Sequence, residues 1–154
     1  MLTALTLGFV LGPSLQQKID NSNFKSYFDQ CERKGAYLES PPENSSGSPQ
    51  FLGKLTASKY GADSIANSYG KYGSTTGQES IWNAYSKFGG KFSARSPWNS
   101  YARKPVEILY REGTKTYIAG YLTANAFYRG EIGLPNIDPK YLAYWLDRAK
   151  DIPK

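Results

Sequence analysis

Side chains able to do chemistry are sparse in this chain, and the first pair to weigh is Asp63 and Glu79, carboxylates sixteen residues apart. Held about 5–10 Å from one another, two such groups make the working pair of a glycosidase. Each, however, directly precedes a serine, Ser64 or Ser80, and a third copy of the slot holds Arg95. An acid beside a capping serine is accounted for by the local dipole alone. The chain has no histidine, which excludes Ser-His-Asp and Cys-His nucleophilic systems, imidazole acid/base work and imidazole metal sites. One cysteine, Cys31, leaves no intrachain disulfide and no cysteine-cluster zinc site. It stands in "YFDQCERKG" without a visible base and reads as a plain, half-buried thiol. Asp63, Asn67 and Glu79 lack the density of oxygen ligands that a calcium loop supplies. The expectation is a chain without catalytic residues, metal or cofactor, a carboxylate-only glycosidase-like activity being the one enzymatic route left open.

Charge offers a second chemistry. Between Ser58 and Arg103 stand six basic residues, Lys59, Lys71, Lys87, Lys91, Arg95 and Arg103, against Asp63 and Glu79. Lys71, Lys87 and Arg103 recur at one interval, with Lys150 and Lys154 outside that row. Basic residues interleaved with rings can hold phosphates while the rings stack on bases or sugars. Lys71, Lys87, Arg103, Trp82 and Trp98 are therefore the candidate binding set for a polyanion such as nucleic acid, or for a glycan. The competing account makes the aromatics a core and the lysines its solvated edge, and the regular recurrence of the rings favours it.

These residues are positioned by a repeat. Ser64-Ile65-Ala66-Asn67-Ser68-Tyr69 returns as Ser80-Ile81-Trp82-Asn83-Ala84-Tyr85 and again as Ser96-Pro97-Trp98-Asn99-Ser100-Tyr101. Tyr72 returns as Phe88 and Gly73 as Gly89, whereas Thr76 interrupts the row of Tyr60 and Phe92. A fixed period of this kind marks one supersecondary unit used about three times. The serines suit the start of a single turn and the asparagines an Asx-turn that ends it. Ser64, Asn67, Tyr69, Ser80, Asn83, Tyr85, Ser96, Asn99 and Tyr101 are thus structural candidates. Trp82, Trp98, Tyr69, Tyr85 and Tyr101 are expected to lie buried in rows, and each asparagine to bond nearby backbone.

Around the repeat, 154 residues with thirteen Tyr, seven Phe and three Trp suffice for one core of large flat side chains. The net charge of +6 favours anionic partners without specifying a fold. The opening "MLTALTLGFVLGPSL" is too short to span a bilayer. It fits either the apolar part of an export signal, without its basic start, or a short helix docked on the domain. Helical spacing of Leu15, Ile19, Phe24, Tyr27 and Phe28 predicts a helical arm, capped by Ser14 and stopped by Gly35, within residues 1–37. Residues 38–50 read as a linker of Pro, Ser, Gly and Asn, and 51–154 as the repeat-containing domain. Alternation predicts strands at 51–57, 105–111 and 116–124, the last two around a Glu-Gly turn. Leu52–Ser58 aligns with Ala119–Asn125, so the two ends of the block are expected to pair. Asp138 and Pro139 open a terminal helix with Leu142, Trp145, Leu146 and Ala149 on its apolar face. The fold class is α+β: a small antiparallel sheet, a turn-rich aromatic three-repeat insertion, an N-terminal helical arm and a C-terminal helix.

"FLGKLTASKYGADSIANSYGKYGS", "ESIWNAYSKFGG", "SPWNSYARKPVEIL" and "IAGYLTANAF" together resemble an uncharacterised bacterial family. Its exported members carry Ser-Ile-x-Asn-x-Tyr-Gly-x-Tyr-Gly-Ser repeats, a Pro-rich strand and a Gly-Tyr-Leu-Thr-x-Asn end, in some cases beside thermonuclease-like domains. The resemblance covers about residues 51–126. Thr76 and Gly77 depart from it, as does the single Pro of "RKPVEIL". It implies an extracytoplasmic accessory module, secreted or in the envelope, and supplies no catalytic residues. The expected function is a non-catalytic structural or interaction module with a protein partner or assembly, and the alternative is polyanion or glycan binding by the basic aromatic face.

Overall fold

The computed structural model describes residues 2–4 as backbone and 18–154 in full. The expected export signal or docked helix at residues 1–15 and the Ser14 cap lie, apart from residues 2–4, outside the described residues; Leu2–Ala4 is a strand, β1. The others are β2 (Tyr37–Ser40), β3 (Gln50–Lys54), β4 (Val106–Glu112), β5 (Lys115–Leu122) and β6 (Asn136–Ile137). Two helices, α1 (Phe24–Arg33) and α2 (Pro139–Trp145), complete an α+β fold.

The sheet runs β1-β5-β4-β2-β3. Its centre is antiparallel as expected, but β1 and β6 both pair with β5 in parallel, so the sheet is mixed. The strands β4 and β5 form the expected hairpin. Glu112 and Lys115 close it around a two-residue loop in which Gly113 takes a φ of +63°, a conformation glycine adopts without steric cost. The two ends of the repeat block share the sheet without pairing, because β2 and β4 stand between β3 and β5. That central strand comes from the expected linker: Leu38–Ser40 are strand residues, and their alternating burial was hidden beside a Pro/Ser run. Residues 41–49 remain a loop, held by Arg95 on the Pro41 carbonyl and Glu43 carboxylate and by Lys104 on the carbonyls of Pro42 and Glu43.

Helix α1 starts ten residues after Ser14. The Asp20 carboxylate accepts from the Ser22 N–H and hydroxyl, an Asx-turn that competes with helix. Gly35, at φ +71°, ends the helix as expected. The helix is no arm: Tyr27, Phe28 and Cys31 are fully buried in the cluster that also holds Leu38, Leu52, Ile108, Leu122 and Leu142. Cys31 is thus buried rather than half-buried, and burial pushes its thiol up to about 12. The Tyr27 hydroxyl donates to Ala119 O (2.9 Å), at a bulge where β5 has one residue more than β4. In α2, Asp138 accepts from Lys140 N–H as the expected cap. The helix stops at Trp145, so Ala149 falls in a following 3-10 turn (Ala149–Asp151) and is exposed, not part of an apolar face. Among the described residues no helix is long and apolar enough to cross a membrane.

Candidate functional site on the turn repeats

From Ser64 to Ala102 the chain is a succession of reverse turns. In each, an N–H donates to the carbonyl three residues back, at 3.0–3.5 Å. The turn-opening residues are Ser64, Asn67, Gly70, Ser74, Gly77, Ser80, Asn83, Ser86, Gly90, Ser93, Ser96 and Asn99. Sixteen residues therefore make five turns, four steps of three and one of four. The four-residue step contains Gly73 and Gly89, where a Cβ would fall on the carbonyl of Asn67 or Asn83.

Side chains hold this backbone. Asn67, Asn83 and Asn99 each accept, through Oδ1, from the N–H two residues on (2.9–3.0 Å). Each also donates through Nδ2 to the carbonyl six residues back, Gly61, Gly77 or Ser93 (2.8–3.0 Å). Ser64, Ser80 and Ser96 accept from the N–H of Ala66, Trp82 and Trp98 at 3.0–3.1 Å. The expected structural roles of the Ser and Asn positions are therefore observed, on β-turns and not on helical ones.

Destination is set by which turn a side chain closes. The first turn of each copy points inward: Ser64–Ala66, Ser80–Trp82 and Ser96–Trp98 are buried throughout. The indole N–H of Trp82 donates to Ile65 O (2.9 Å) and that of Trp98 to Ile81 O (2.7 Å), each tryptophan tying its copy to the preceding one. The second turn points outward. Tyr69, Tyr85 and Tyr101, expected in buried rows, are 84–100% exposed. The expectation failed because neighbouring turns face opposite ways, so rings three residues apart in sequence part company. Trp82 and Trp98 are buried, leaving no free ring face for a base or sugar to stack on, which removes them as stacking residues from the candidate binding set.

The outward turns present more rings than the tyrosine row. Tyr60, Phe92 and Phe127 are exposed as fully. Phe127 lies beyond the hairpin, where Asn125 repeats the clamp: Oδ1 accepts from Phe127 N–H (3.0 Å) and Nδ2 donates to Ala102 O (2.9 Å). The sequence signal was Asn-x-aromatic, shared by residues 67–69, 83–85, 99–101 and 125–127.

Lys71, Lys87 and Arg103 are exposed, each two residues after a ring of the tyrosine row, with Lys71 Nζ 5.5 Å from the Tyr72 ring and Lys87 Nζ 5.7 Å from the Phe88 ring. Arg95 is not available there: buried, it bonds Ser40 Oγ (2.8 Å) and lies 4.9 Å from the Phe88 ring. A cavity of about 420 Å3 is lined by Lys59, Tyr60, Asn67, Tyr69, Arg148 and Lys150. A second, of about 590 Å3, is lined by Thr76, Trp82, Tyr85, Asp151, Lys150 and Lys154. Lys150 and Lys154, outside the row in sequence, thus lie beside its rings. Arg148 anchors this wall, its guanidinium 4.3 Å from the Trp82 ring and its Nη1 donating to Ile65 O (2.9 Å).

Asp63 is exposed and Glu79 lies 3.9 Å from Lys71 Nζ. Among the described residues no group of three acidic or sulfur side chains could hold a metal ion. The carboxylates raised above their ordinary range stand elsewhere, on the sheet face away from α1. Glu107 is opposite Glu39 across β4 and β2. Burial, then Glu39 and Glu131, push Glu107 up to about 7. Burial raises Glu39 as well, offset by Arg111.

Comparison of the chain with protein-family models, curated proteins and solved structures finds no match.

Proposed function

We propose that the chain is a non-catalytic contact module, exported or associated with the cell envelope, whose binding surface is the outward face of the turn array. One observation carries this reading: Tyr60, Tyr69, Tyr85, Phe92, Tyr101 and Phe127 project into solvent, four of them (Tyr69, Tyr85, Tyr101 and Phe127) from Asn-clamped turns. Burying a ring of this size stabilises a fold by about 1.5–3 kcal/mol, so six left outside forgo a large term. Large exposed apolar area marks contact surfaces. Clamped turns also hold the rings' backbone before any partner arrives, which lowers the ordering cost of association. The extracytoplasmic setting and the expectation of a protein assembly draw on the family resemblance of residues 51–126.

Tyrosine nitration of the protein, alone and bound to an envelope fraction of its native source, tests the reading. Protection should concentrate at Tyr69, Tyr85 and Tyr101, with Tyr144 on α2 modified equally in both. Unchanged modification of the three in a demonstrably bound sample would overturn it.

A further inference from the structure

Resting on that reading, we propose that the outward face binds single-stranded nucleic acid, with bases stacked on its rings and phosphates held by adjoining cations. Every one of the six rings has an exposed basic neighbour. Lys59 precedes Tyr60 and Lys91 precedes Phe92, while Lys71, Lys87, Arg103 and Arg129 each follow a ring by two residues. The pairing at Phe127 lies outside the repeat block, so it is not a by-product of duplication.

Part of the surface, around Tyr60, Tyr69 and Tyr85, is also continuous. Lys150 walls both the cavity that holds Tyr60 and Tyr69 and the one that holds Tyr85. Within the repeat block, between Ser58 and Arg103, the acids are Asp63 and Glu79, the latter beside Lys71; Asp147 and Asp151 line the same cavities beside Arg148, Lys150 and Lys154. A single strand offers one flat face and one anionic charge per nucleotide, the same couple that each outward turn presents. A duplex keeps its bases stacked on one another and closed to rings. A neutral glycan would leave the cations unpaired.

The test is fluorescence anisotropy of a labelled oligothymidylate of about 20 nucleotides, with the full chain at about 50 mM salt. Binding should weaken as salt rises, and Lys71, Lys87 and Arg103 changed together to Gln should lower the log–log slope by about 2. Tyr69, Tyr85 and Tyr101 changed together to Ser should lose about tenfold in affinity per ring, with the melting temperature kept. Lys115→Gln, at the tip of the hairpin, should change neither. Absence of binding, or equally tight binding of a duplex or of an acidic polysaccharide, would overturn the proposal. So would a ring variant that binds as the parent does, which would reduce the effect to charge alone. None of these outcomes touches the nitration pattern, so the contact reading stands or falls separately.

Discussion

At the scale of single residues the turn array is held by donors and acceptors with no slack. Asn83 is buried and satisfies one carbonyl and one N–H at once. Asn83→Ala strands both, and urea melts should show a loss of about 1–3 kcal/mol, whereas Ser100→Ala, on an exposed site, should be silent. Gly89 tests geometry rather than bonding. An added Cβ meets the Asn83 carbonyl, a backbone atom that cannot step aside. Gly89→Ala should therefore melt far below Gly47→Ala, whose Cβ would make ordinary contacts at 3.5 Å. Equal melting of the two would refute the packed four-residue step. Much at this scale was legible beforehand, because the bonds of Ser and Asn are local and need no tertiary information. The exposure of Tyr69 was not. A tyrosine in a repeat reads the same whether it packs or projects, and the choice depends on how successive turns are rotated.

Among the elements, β2 and β4 set one conflict in the sheet. Glu39 and Glu107 face each other, and partial burial holds the folded Glu107 near 7, above its ordinary range. The sign follows from proton counts. Between about 4.5 and 7 the folded chain binds the extra proton, so stability falls as pH rises through that window and stays lower above it. Glu107→Gln should remove the loss, melting above the parent at pH 8 by on the order of 1 kcal/mol once solvent screening is allowed for. The two proteins should converge near pH 4; a constant offset across the range would reject Glu107 as the source. The hairpin and α2 cap were readable from turn and cap chemistry. Strand β2 was not, since four residues beside "PPENSS" carry too little pattern, and only tertiary pairing on both sides makes them central.

For the whole molecule, one cluster of buried side chains runs from α1 through the sheet into Ile65, Trp82, Phe88 and Trp98. Helix and turn array should unfold together. Tryptophan fluorescence, dominated by the buried Trp82 and Trp98, and far-ultraviolet dichroism of the helices should trace one coincident denaturant transition. Two separated transitions would restore a boundary between arm and repeat domain. The tryptophan links add a direction to this unit. Trp82 reads a carbonyl of the first copy and Trp98 a carbonyl of the second, while the first copy has Ala66 in that slot. The array thus resembles a polar filament with a blunt starting end that asks nothing of a predecessor. Its far end is closed by Asn125, and its first junction by Arg148, both supplied by later chain. A ribosome delivering this sequence lays down each template before the copy that needs it, and hands over the two clasps last.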